Sequence, residues 1–114
     1  MEKILDDVET RVRAAKLFDQ YGALLKDNAR GIFEEYFSDD LSLSEVASHA
    51  GITRQGVHDS IKRSLGQLEE YESRLQLVSR REEAEILISE LEKISLKSND
   101  KALKKIAVKL ESLV

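Results

Sequence analysis

Apolar residues recur at three- and four-residue intervals along almost the whole chain, a pattern that predicts successive helices. Leu5, Val8, Val12, Ala15 and Phe18, with Leu17, Tyr21 and Leu24 alongside, mark a first helix from about Lys3 to Leu25. Asp27 stands where it can cap a second, which carries Ile32, Phe33, Tyr36 and Phe37 on one side and ends at Ser38-Asp39-Asp40. Two helices then share the stretch from Leu43 to Leu65. Beyond it Leu68, Leu75 and Val78 keep the period without proline or cap, so one helix is expected from residue 54 to about 77. Ser79 and Glu82 have capping-box spacing, which predicts a kink or a new helix there, with Ala84, Leu87, Leu91 and Ile94 on its apolar face. Lys97-Ser98-Asn99-Asp100 reads as a turn before a last helix, Lys101–Leu113, with Leu103, Ile106, Ala107 and Leu110 apolar.

The stretch LSEVASHAGITRQGVHDSIKRSL carries the most information. Ala47 is small where two backbones must approach, and Gly51, four residues on, can take the left-handed conformation that ends a helix. Ser42 with Glu45 is a capping-box start, and Thr53 is a suitable N-cap for the following helix. Val46, Ala50, Ile52, Val57 and Ile61 are then expected to fill the angle between the helices. This is the pattern of a helix-turn-helix, whose second helix can enter a DNA major groove. With Val57, Ile61 and Leu65 inward, 100° per residue turns Gln55, Asp59 and Lys62 outward, flanked by Gly56, His58 and Arg63, with Arg54 at the start. Thr53, Arg54, Gln55, His58, Lys62 and Arg63 are therefore the expected nucleic-acid contacts. Arginine and lysine suit guanine or phosphate, and glutamine suits adenine. Asp59 precedes Lys62 and Arg63 by three and four residues, a spacing that allows it to neutralise them within the helix.

Charge qualifies this reading. The 114 residues carry a net −4, and of the segments 1–40, 41–65 and 66–114 only 41–65, with three basic and two acidic groups, is net positive. A single copy should therefore bind duplex weakly. The absence of proline and cysteine leaves helices uninterrupted and excludes disulfides, thiol nucleophiles and cysteine-ligated zinc. His49 and His58 lack a carboxylate cluster at ligand spacing, and there is no glycine-rich phosphate loop or nucleophile elbow, so no metal, cofactor or enzymatic activity is expected. The aromatic residues between Phe18 and Phe37 read as core rather than a base-stacking platform. The lysine-rich helix from Lys101 reads as a packing element rather than a membrane or RNA ligand. No apolar run is long enough to span a bilayer, and the amphipathic N-terminus is unlike a signal peptide, so a cytoplasmic protein without membrane insertion is expected.

Several separate strings, Tyr21-Gly22-Ala23-Leu24-Leu25, YFSDDLSLSEVASHAGITRQGVHDSIKR from Tyr36 to Arg63, and LEEYESRLQL from Leu68 to Leu77, resemble the YlxM family of small bacterial proteins. The resemblance covers about residues 17–78; nothing recognisable continues it into 79–114. It implies a helix-turn-helix like region four of sigma factors, and a regulatory or accessory role in the signal recognition particle pathway. The expected protein is all-α, with a helix-turn-helix domain over 1–78 and a helical extension over 79–114 for packing or dimerisation. Apolar stripes too extensive for internal burial point to a homodimer. DNA is the expected partner; docking on signal recognition particle protein or RNA is the competing one.

Overall fold

The computed structural model describes residues 5–114, so the expected start of the first helix at Lys3 lies outside the described residues. The chain divides into two compact units, one ending at Leu75 and one running from Gln76 to Val114. This division falls earlier than the expected 78/79 boundary. No strand forms among the described residues.

In the first unit, α1 (Val8–Tyr21) starts at Asp7, whose side chain accepts the Glu9 amide at 3.0 Å, and gives way to a 3-10 turn over Gly22–Leu24. Only Ala14, Leu17 and Tyr21 of α1 are buried; Val8, Val12 and Leu24 of the expected stripe are exposed. α2 (Asp27–Phe37) begins one residue earlier than a cap at Asp27 requires. Lys26 holds the cap position, and Asp27 accepts from Arg30 at 2.8 Å within the first turn instead. α3 (Leu43–Ala50) and α4 (Arg54–Leu75) form the motif. α4 is the scaffold of the unit and packs against α1, α2 and α3.

The core is built from Ile32 and Tyr36 of α2, Leu43, Val46 and Ala47 of α3, and Val57 and Ile61 of α4, with Leu5 completing it. The aromatic residues form a chain beside it: Phe18 stacks on Phe33 at 5.1 Å, Phe33 meets Phe37 at 4.7 Å, and Tyr36 stands edge-on to Phe37 at 5.0 Å. Tyr36 also donates to Asp6 at 2.7 Å, while Arg11 pairs with Asp6 at 3.0 Å and lies over the Tyr36 ring. These two partners hold the Asp6 carboxyl below its usual range, the hydrogen bond from Tyr36 being the largest single cause, followed by that from Arg11. Burial, reinforced by the Asp6 acceptor, pushes the Tyr36 phenol up to about 12.

The second unit is a helical hairpin of α5 (Leu77–Ser98) and α6 (Lys101–Leu113). Asn99 turns left-handed at φ 54°, and Asp100 caps α6 by accepting from the Ala102 amide at 2.9 Å. Ser79 with Glu82 does not start the helix. The break falls at Gln76, which adopts φ 54°, and Ser79 already lies in the first turn of α5. Glutamine has no local preference for this conformation, which costs a residue with a Cβ about 1–2 kcal/mol, so the break has no signature in the local sequence.

Candidate nucleic-acid interface

The turn between α3 and α4 is chemically specified at each position. Ser42 and Glu45 exchange both hydrogen bonds of a capping box at 3.1 Å. Gly51 ends α3 at φ 68°, and its amide and that of Ile52 both reach the Ala47 carbonyl, at 3.0 and 3.2 Å. Thr53 then caps α4, its hydroxyl accepting the Gly56 amide at 3.0 Å. A Cβ at Gly56 would lie 3.1 Å from that hydroxyl. The glycine thus makes room for the cap, whatever else approaches it.

Of the residues expected to line the angle between the helices, Val46, Ala47, Val57 and Ile61 are buried there. Ala50 and Ile52 are not. Ile52 is 44% exposed and lies over Gly56 on the outer side of the turn. The left-handed step at Gly51 turns the chain before Ile52 can point inward.

Thr53, Arg54, Gln55, Asp59, Lys62 and Arg63 are exposed together on the first turns of α4. His58 is a correction to the expected set. It is 5% exposed and belongs to the buried side of α4. Its Nδ1 is buried without a hydrogen-bond partner among the described residues and stands 3.6 Å from the Asp59 carboxylate. The reason is that three helices surround α4, so its buried arc, from Ser60 through Ile61 and Val57 to His58, is wider than one apolar stripe.

Asp59 does not neutralise the cations after it. It accepts from Gln55 Nε2 at 2.9 Å, and among the described residues no carboxylate lies within 4 Å of Lys62 or Arg63. The exposed face therefore offers two unpaired cations more than two turns beyond a capped helix start. Next to them are a Gln–Asp pair and the exposed Arg54. This arrangement can receive phosphates and base edges; no group of three or more metal-ligating side chains occurs among the described residues.

Between Leu68 and Leu75 the apolar period admits either Tyr71 or Glu72; the structure buries Glu72, a carboxylate on α4 held against Tyr21.

An all-α helix-turn-helix protein is what this fold and this face define. The chain belongs to the UPF0122 family, described as "Putative helix-turn-helix protein, YlxM / p13 like", whose profile matches residues 8–108. The match extends the likeness past residue 78, where the sequence strings had ended it. A UPF0122 protein of Thermoanaerobacter sp. (strain X514) is 46% identical over 78 residues, 68% of this chain and 64% of its own. The aligned part of this chain thus spans just under two thirds of that relative. UPF0122 proteins of Shouchella clausii (strain KSM-K16) and Bacillus thuringiensis (strain Al Hakam) are 40% and 39% identical over 86 and 87 residues. These alignments cover 75% and 76% of this chain, and 79% of each relative. No solved structure matches. The family is one of helix-turn-helix proteins, not an enzyme family. No helix among the described residues is long and apolar enough to cross a membrane.

Proposed function

We propose that the chain is a regulatory protein that binds duplex DNA through the first turns of α4, with Thr53, Arg54, Gln55, Lys62 and Arg63 as its contacts. The observation that carries this reading is the exposure of Lys62 and Arg63 without a carboxylate partner among the described residues, on a helix whose capped N-terminus adds partial positive charge. Lys62, Arg63 and Arg54 bind phosphate or guanine, and Gln55 reads a base edge when it exchanges Asp59 for adenine. In this reading the protein acts in the cytoplasm as a homodimer, each copy supplying one weakly binding helix to a two-fold site. Likeness to the YlxM proteins supports a place in the expression or function of the signal recognition particle pathway.

Two observations favour a second reading, in which the same face docks on signal recognition particle protein or RNA. Asp59 puts a carboxylate in the middle of the face, and the chain's net charge is −4.

Titration with duplex DNA across a salt series separates the two. About two to four phosphate contacts give a slope of log K against log salt of roughly −2 to −4 per protomer. Lys62→Ala with Arg63→Ala flattens that slope, whereas Gln55→Ala relaxes sequence preference at nearly unchanged slope. Absence of duplex binding at low salt, with binding to signal recognition particle protein or RNA retained, defeats the DNA reading in favour of the second.

A further inference from the structure

We infer that the α5–α6 hairpin is a self-association element whose partner is a second copy of this chain, paired so that α5 of one copy stacks on α6 of the other. Within the hairpin Ile88, Ser95 and Ala107 are buried, while Leu87, Ile94, Ile106, Leu110 and Leu113 are between 41% and 72% exposed. Helical phase puts these exposed side chains on one surface. Leu87 and Ile94 each precede a buried α5 residue by one position, and Ile106 precedes Ala107 by one. The same rotation of about 100° on two antiparallel neighbours turns both stripes to the same side. The opposite side has Leu96 and Val108 among Glu85, Ser89, Lys104 and Glu111, and is the more polar.

Charge selects the occupant and its orientation. Five glutamates lie between residues 82 and 92 on α5, and four lysines between 101 and 109 on α6. Glu83 and Glu90 edge the α5 stripe, and Lys105 and Lys109 edge the α6 stripe; among the described residues none of the four has an ion-pair partner within 4 Å. Two such faces can meet about a two-fold axis across the helices or along them. The first sets α5 on α5 and opposes like charges. The second sets α5 on the partner's α6 and opposes Glu90 to the partner's Lys109. Because the hairpin turns at Asn99-Asp100, residues equally far from the turn are level. The second arrangement therefore also stacks Leu87 on the partner's Leu113 and Ile94 on the partner's Ile106. A face two helices wide and about 20 Å long buries roughly 500 Å2 per copy, about 1,000 Å2 in all, just under the standard range and the size of a weak, concentration-dependent association.

Sedimentation of the full chain over a concentration series, with no DNA present, tests this pairing, which specifies the homodimer of the proposed function, separately from DNA binding. The mass should rise from 12.9 kDa toward twice that value. Ile94→Glu should hold it at the single-chain mass with unchanged helical circular dichroism, since Ile94 is exposed. E90K and K109E should each weaken association about tenfold. An equimolar mixture of the two should recover it, because every interface pair is then unlike in charge. A single-chain mass for the native protein at all concentrations, or association indifferent to Ile94→Glu, overturns self-association through this face. A mixture no stronger than its components overturns the α5-on-α6 pairing.

Discussion

The Tyr21 hydroxyl donates to the Glu72 carboxylate at 2.5 Å, with both side chains buried, and so joins the end of α1 to the last turn of α4. A second link between the same helices, Arg13 to Glu69 at 2.7 Å, lies at the surface, about one turn earlier along α4 and two turns earlier along α1. The motif helix is thus held at the end opposite its recognition face. Its first turns stay accessible while its last turns anchor the unit.

Removing the buried donor should cost far more than cutting the surface pair. Tyr21→Phe takes a hydrogen bond from a buried carboxylate and should destabilise by about 1–3 kcal/mol. Arg13→Ala should cost about 0.2–1 kcal/mol. Urea unfolding of both variants gives the comparison, and equal losses would mean that the Tyr21–Glu72 bond is not a principal tie.

At Gly51 a Cβ would meet nothing within 4 Å, yet φ is 68°. The expected cost of substitution is therefore conformational, not steric. Gly51→Val should lose more than Gly51→Asn, because asparagine tolerates the left-handed region; the alanine variant should lose about 1–2 kcal/mol. Ala47→Leu, at the helix crossing, should overpack it and cost about 1–3 kcal/mol. Melting temperatures check the order.

Gly66 is the converse case. It lies inside α4 at ordinary helical φ with open space around it. Gly66→Ala should stabilise by about 0.5–1 kcal/mol through helix propensity and reduced unfolded-state entropy. A lower melting temperature would show that something fills that space.

The Asp6–Tyr36 pair should set pH dependence at both extremes. The folded state raises the Tyr36 pKa, so its contribution is present below the usual phenol value of 10.0 and is lost as pH rises through about 12. The folded state lowers the Asp6 pKa, so its contribution is present above 3.8 and is lost as pH falls through the depressed value. Tyr36→Phe should flatten both limbs of a stability–pH profile, and Asp6→Asn should flatten the acid limb. An unchanged acid limb in either variant would count against the pair.

The helices, their caps and the motif turn were legible in the sequence because each depends on a few adjacent residues. Capping at Ser42 and Thr53, the left-handed step at Gly51 and the 3.6-residue period need no knowledge of what packs where. The exposure of Gln55, Lys62 and Arg63 followed from the same period. The burial of His58 and Glu72 did not, and was decided by the tertiary structure. Three helices packed around α4 bury an arc of roughly 160°, from Ser60 to His58, which takes in polar positions that a single apolar stripe would leave outside. The break at Gln76, whose left-handed φ of 54° has a local cost, carries no mark in the adjacent residues.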